Sequence, residues 1–297
     1  MIQMKNVIKS FDGFQALSGL SLHVPKGAIY GLVGPNGAGK TTAIKHLTGV
    51  YRQDSGEVLI DGAPVFEDTS RKARVAYIPD DIYHFPQDST RDMMRFYKDI
   101  YPQFDMDRYE KLGTLFAHDD KRPIRRLSRG MQKHAAFRLA MSLHPDVLVL
   151  DEPVDGLDPV MRRQVWSIVM GDVAEYGTTV LVSSHNLREL EDVCDHVGIM
   201  HEGKLLLERT LSDLQENITK LIVALPEGEV MPAELDILHA SISGKLHTLI
   251  VRGNAEEAEQ RLAACKPLFL DRVPLTLEEI FIYELGGVDY EVRDIIL

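Results

Sequence analysis

Cysteine is nearly absent from this 297-residue chain: Cys194 and Cys265 stand far apart, with no C-x-x-C and no histidine at ligand spacing. That argues against a disulfide framework and a thiolate metal site, and leaves buried, reduced thiols suited to a reducing cytoplasm as the expectation. Basic residues are short as well, since 33 Lys and Arg against 45 Asp and Glu give a net charge of −12. A surface of that sign repels a phosphate backbone, so nucleic acid is not expected as a partner. Long apolar runs are missing too, the longest falling far below the roughly 20 residues that cross a bilayer. Met1-Ile2-Gln3-Met4-Lys5 begins at once on strand-like alternation, without the apolar stretch of a signal peptide. If the protein serves a membrane, another chain is expected to do the spanning. No internal repeat or low-complexity tract interrupts the sequence. What remains, 44% hydrophobic and 26% charged residues, is ordinary for a globular chain with room for one large domain and a smaller one.

Against this background one stretch stands out. Gly34-Pro35-Asn36-Gly37-Ala38-Gly39-Lys40-Thr41-Thr42 fits G-x-x-x-x-G-K-[ST], and it is entered from the apolar run Ala28-Ile29-Tyr30-Gly31-Leu32-Val33. The pattern reads strand, loop, helix start. Gly34, Gly37 and Gly39 let successive backbone N–H groups of the loop, Asn36 and Ala38 included, turn inward around an anion. Lys40 reaches the β/γ-phosphates, and the Thr41 hydroxyl can sit on Mg²⁺ with Thr42 beside it. The helix that follows points its positive end at the phosphates.

Along the chain, residues 1 to about 33 read as short strands, Gln3 to Lys9 and Leu20 to Val24, forming an antiparallel flap beside the first parallel strand. From about Thr90 the pattern changes to helices, expected over residues 92–101, 107–116 and 129–143. Val147-Leu148-Val149-Leu150 has the unbroken apolar character of a strand covered on both faces. A helix to about residue 175, a strand over 178–183, a helix over 186–194 and a strand over 197–200 are expected next. Beyond Thr219 the sequence suggests a hairpin around Ser243-Gly244-Lys245, a helix over 255–265, a strand over 268–273 and a helix over 277–285.

Asp151 and Glu152 end the strand of Val147 to Leu150. Alone they could simply be its polar end; beside a phosphate loop, the first can hold Mg²⁺ and the second can orient an attacking water. His46, His134, His196 and His201 follow no such spacing and read as surface or satisfied core residues.

Further along lie residues of a specific family. Leu127-Ser128-Arg129-Gly130-Met131-Gln132 resembles the signature motif of ABC transporter ATPases, departing from the common L-S-G-G-Q at its third and fifth positions. Gly156-Leu157-Asp158 is similar to that family's D-loop, Ser184-His185 to its switch histidine, and Phe11 stands where those proteins carry the aromatic that stacks on adenine. Tyr77-Ile78-Pro79-Asp80 departs from it, with Asp80 where glutamine is expected. Leu277-Glu278-Glu279-Ile280-Phe281 is similar to the closing helix of exporter-type subunits with a C-terminal extension.

The resemblance implies an α/β fold. Its P-loop NTPase core, a mixed sheet with an antiparallel β flap, would carry an inserted helical subdomain at about 81–143 and be followed by a small C-terminal α+β domain, with domains at 1–217 and 218–297. It implies ATP and Mg²⁺ as cofactors, with ATP held by the loop of one subunit and capped by Ser128 and Gly130 of a second, head to tail, Asp158 lying nearby. Glu152 would be the general base, His185 the γ-phosphate sensor, and Asp151, Thr41 and Asp80 the metal's surroundings. The expected partners are separate transmembrane permease subunits, docking where Asp80-Asp81-Ile82-Tyr83 enters the helical insertion, and a second ATPase subunit in a homodimer. The expected place is the cytoplasmic face of a membrane, and export the expected direction. The competing readings are a soluble ATPase of this type acting on a non-membrane partner, and a binding protein that switches on ATP with negligible turnover. The first commonly needs paired cores, coiled coils or basic arms that are missing here; intact Glu152 and His185 argue against the second.

Overall fold

Alternation of buried and exposed residues over the first two dozen positions builds a long hairpin. Ile2, Met4 and Val7 on β1 (Ile2–Phe11) and Leu20, Leu22 and Val24 on β2 (Phe14–Val24) all point into one core. Both strands are longer than the expected segments. β1 pairs on its other edge with β4 (Ser55–Ile60), which continues into β5 (Ala63–Pro64), so the flap is a four-stranded sheet ordered β2-β1-β4-β5. Its pairing slips after Lys5, where Asn6 takes a left-handed φ of 48°. Only glycine fits opposite, because a Cβ on Gly56 would lie 2.4 Å from the Asn6 carbonyl oxygen.

The computed structural model describes residues 1–82, 87–226, 231–232 and 234–285; Tyr83, expected at the entrance to the helical insertion, lies outside them. In the second sheet β3 (Ile29–Val33), β6 (Val75–Ile78), β7 (Val147–Asp151), β8 (Thr179–Ser184), β9 (His196–His201) and β10 (Lys204–Thr210) are ordered β10-β9-β3-β8-β7-β6. The pairs β6–β7, β7–β8, β8–β3 and β3–β9 are parallel. β3, β7 and β8 are buried at every position, as strands covered on both faces must be. Each fully buried Val or Leu there contributes about 1.5–3 kcal/mol relative to exposure. The register decides the function: Val33 lies opposite Ser184 and Asp151 opposite Ser183, which brings the carboxyl ends of β3, β7 and β8 to one edge. Ligands in open α/β sheets bind at that edge.

Helices α1 (Lys40–Leu47) and α2 (Thr69–Lys72) follow β3 and β5. The insertion between β6 and β7 holds α3 (Thr90–Ile100), α4 (Met106–Leu115) and α5 (Arg129–Met141). Each starts on a side-chain cap: a reciprocal Ser89/Asp92 box, Asp105, and Ser128. α6 (Pro159–Tyr176) starts on Asp158 with proline in its first turn and stops at Gly177, whose φ is 68°. One expected helix does not form. Over residues 186–194 there is only a 3₁₀ turn, Leu187–Glu189, capped by the Asn186 side chain. Buried Leu187, Leu190 and Val193 recur every third residue, a spacing that a 3₁₀ turn satisfies as well as an α-helix does.

By packing, the chain divides into two units, one of Met1–His185 with Val193–Glu208, the other of Asn186–Asp192 with the chain from Arg209 onward. Within the second, α7 (Leu211–Asn217) is an element the apolar pattern did not suggest, although Thr210 caps it through the Asp213 N–H. β11 (Ile218–Ala224), β12 (Ile237–Ser243), β13 (Leu246–Arg252) and β14 (Phe269–Val273) form an antiparallel sheet ordered β12-β13-β11-β14. Leu221, Val223, Leu249 and Val251 on one face pack with Ala258 and Leu262 of α8 (Ala255–Ala264). α9 (Leu277–Leu285) is tied to β11 by the Lys220–Glu279 ion pair at 2.7 Å. Cys194 is buried and free as expected, whereas Cys265, at the end of α8, is free but half-exposed. His134 also departs from expectation: it is buried, neither ring nitrogen has a partner among the described residues, and it stacks on Phe116 at 5.1 Å. Burial lowers its pKa, so the neutral ring behaves as an aromatic filler.

Candidate active site

The loop between β3 and α1 closes over a crowded floor. A Cβ on Gly34 would lie 2.2 Å from the Met200 carbonyl oxygen and one on Gly39 2.7 Å from that of Ala16, so both glycines are needed for close approach. α1 starts at Gly39 without a side-chain cap and with no acidic residue in its first turn. Its first N–H groups are therefore not claimed by a side-chain cap, the arrangement that suits an anion. Lys40 is buried, and its ammonium donates to the carbonyls of Gly34 at 2.6 Å and Pro35 at 3.3 Å while lying 3.7 Å from Glu152 Oε1. Desolvation lowers its pKa; the charges of Glu152 and Asp151 oppose that.

Burial, with the charge of Asp151 beside it, raises the pKa of Tyr77. Asp151, at the end of β7, is buried and accepts from the Ser183 hydroxyl at 2.5 Å. The next residue leaves the strand sharply: Glu152 has φ 47°, a left-handed conformation uncommon outside glycine. Its N–H donates to the Ser183 carbonyl at 3.2 Å. The turn aims the Glu152 carboxylate between two partners, His185 Nδ1 at 2.9 Å from Oε2 and Lys40 near Oε1. Burial raises the Glu152 pKa, and His185 and Lys40 pull it back only in part. A carboxylate so placed can accept a proton nearer neutral pH than an ordinary glutamate.

These groups border a hollow of about 320 Å³ lined by Pro35 to Thr42, Asp80, Asp151 and Glu152, with Phe14 and Ala16 at its side. Phe11 is not among its lining residues; its ring tilts onto Tyr51 at 5.2 Å under the Lys9 ammonium. Phe14, paired with Phe11 across the end of the hairpin, occupies the rim instead and is 67% exposed. Ser128 and Gly130 are absent from the lining as well. Ser128 caps α5 by accepting from the Met131 N–H at 3.3 Å, Gly130 follows in the first turn, and Asp158 caps α6 by accepting from Val160 and Met161. Arg129 is exposed and borders a separate hollow with Asp80, Gln132, Lys133 and Asp155. Phe14, Tyr77, Ser183 and Lys133, all near the site, carry no motif role in the sequence. The first had a signal, an aromatic beside the flap turn; the other three owe their place to register and packing.

A phosphate loop at the carboxyl edge of a parallel sheet, with an acidic pair on the neighbouring strand, defines a P-loop nucleotide hydrolase. The model of a family described as "ABC transporter" matches residues 17–155. The ABC transporter ATP-binding protein YtrB of Bacillus subtilis is 30% identical, over 97% of this chain and 99% of that protein. The lantibiotic transport ATP-binding protein SrtF of Streptococcus pyogenes is 32% identical over 74% of this chain and 95% of its own length. Among solved structures, an ATP-binding subunit of an ABC transporter superposes with a TM-score of 0.66 and 26% identity, covering 72% of this chain and 92% of that one. The chain belongs to the ABC transporter ATP-binding proteins, and its reaction is ATP hydrolysis coupled to transport. Among the described residues no helix is long and apolar enough to cross a membrane.

Proposed function

We propose that the chain hydrolyses ATP at a site shared by two copies and drives a separate transmembrane exporter from the cytoplasmic face. The observation that carries this reading is the division of parts. Lys40, Asp151 and Glu152 line one hollow and His185 bonds to Glu152, while Ser128 and Gly130 present a capped helix start elsewhere on the same chain. A head-to-tail homodimer supplies the missing cap, and both half-sites are complete in this one sequence. Relatives named for lantibiotic transport and linearmycin resistance support export as the direction.

In this reading the loop N–H groups and Lys40 take the phosphates, Phe14 or Phe11 flanks the base, and Glu152 accepts the proton of the attacking water. His185 holds the Glu152 carboxylate in line and reaches the γ-phosphate. The hard oxygens of Thr41, Asp151 and Asp80 suit Mg²⁺, which would neutralise charge on the phosphates. Glu152→Gln tests the assignment: ATP binding is expected to persist, turnover to fall by roughly 10²- to 10⁴-fold, and an ATP-dependent dimer to accumulate in light scattering. Normal hydrolysis by that variant would refute Glu152 as the base. Copurification with membrane subunits in detergent tests the transport half of the proposal.

A further inference from the structure

Lys133 is a lysine with almost no access to water. It is 5% exposed and opens a run of nine buried residues on α5, Lys133 to Met141. An ammonium in such a place must find oxygen acceptors, because the charge cannot be left unpaired in an apolar interior. None of those it finds belongs to α5. Its Nζ donates to the carbonyl of Glu152 at 2.7 Å and to that of Asp155 at 2.9 Å, and it lies 3.5 Å from the Asp80 carboxylate. Three donors thus meet three acceptors drawn from two other segments, the loop leaving β7 and the chain leaving β6.

The first acceptor is the most telling. Glu152 is the residue with the left-handed backbone, and its two peptide groups are held from opposite sides, the N–H by Ser183 and the carbonyl by Lys133. With both ends fixed, the side chain has one direction in which to leave the backbone, toward His185 and Lys40. A backbone conformation of this kind persists only where its surroundings over-determine it. The third acceptor adds a link. Asp80 borders both the hollow beside Lys133 and the hollow of the phosphate loop, so one carboxylate faces the nucleotide side and the ammonium together.

We propose that Lys133 is a positioning residue for hydrolysis: it clamps the backbone of Glu152 so that the carboxylate points into the site, and it ties that clamp to Asp80 and to the helix bearing Ser128. This rests on the reading of Glu152 as the base. Lys133 touches neither water nor phosphate; it acts through the peptide group of another residue.

The test uses the full chain with Lys133→Met, Glu152→Gln and the double variant, measuring turnover, ATP affinity by nucleotide titration, and melting temperature. Lys133→Met is expected to lower kcat on the order of 10²-fold, the usual consequence of misplacing a reacting group by about an ångström. KM and ATP affinity should stay within about twofold, because the phosphate loop is untouched. In the Glu152→Gln background the same change should cost less than about twofold, since there is no longer a base to aim. A full loss in both backgrounds, or a loss of ATP affinity in parallel with kcat, would overturn the proposal in favour of a general structural role. Unchanged turnover in Lys133→Met beside a slow Glu152→Gln would overturn it while leaving the reading of Glu152 intact. Normal turnover in Glu152→Gln itself would overturn both. Should the methionine variant fail to fold, Lys133→Gln keeps a donor in the cavity and carries the same comparison.

Discussion

At the scale of single residues the site is a problem in competing electrostatics. Glu152 is pushed toward its protonated form by burial and pulled away from it by His185 and Lys40, with burial winning. The base role proposed for Glu152 requires the unprotonated carboxylate, so the acid limb of kcat/KM should inflect above the pH of an ordinary glutamate. His185→Ala removes the partner that lowers this pKa most. The limb should then move to higher pH as turnover falls, and a pH–rate profile checks it. A limb that moves to lower pH would mean that His185 does not stabilise the carboxylate. The motif residues Gly34 to Thr42, Asp151, Glu152 and His185 were legible in sequence because their chemistry demands fixed residue types at fixed spacing. Lys133 and Ser183 were not, since a lysine in a helix and a serine in a strand have no meaning until other segments are packed against them.

Among elements, the link between the helical insertion and the sheet core has its own charge. Arg108 on α4 pairs with Asp172 on α6 and lies 5.2 Å from the Tyr176 ring, and both members of the ion pair are largely buried. Burial raises the pKa of Asp172 and Arg108 only partly offsets it, so the pair does not escape its desolvation cost. A carboxyl with a raised folded pKa contributes stability at pH below its unfolded pKa, and that contribution is lost as pH rises through the folded value. Arg108→Ala removes the offset and should cost about 3 kcal/mol at neutral pH. Its deficit in melting temperature should shrink as pH is lowered, because a protonated Asp172 no longer needs the guanidinium. A deficit that does not change with pH would assign Arg108 a packing role alone. Helices with a strong cap, such as α3, α5 and α6, stood close to their expected bounds. The stretch after His185 did not, because apolar residues three apart leave the choice of turn to the packing around them.

For the whole molecule, the shared site proposed above makes a prediction that no single chain can show. Ser128→Arg should block hydrolysis through the opposite subunit and leave ATP binding by the isolated chain intact, whereas Lys40→Ala disables a chain's own phosphate loop. Mixed together, the two inactive variants should regain part of the turnover, since one half-site per mixed dimer joins an intact loop to an intact Ser128. Steady-state ATPase activity of the mixture checks this; no recovery after verified subunit exchange would count against the shared site. By itself the sequence determined the phosphate loop, the acidic pair, the buried strands that carry them and the family to which they belong, because each is a local pattern set by covalent neighbours or by a period of two or 3.6. Only the tertiary structure decided which side chains meet: Phe14 on the rim where Phe11 was expected, Ser183 on Asp151, and Lys133 beneath Glu152. The physical reason lies in the parallel register, which aligns the ends of β3, β7 and β8 across more than a hundred residues of chain, so that a contact between them exists only once the sheet has closed.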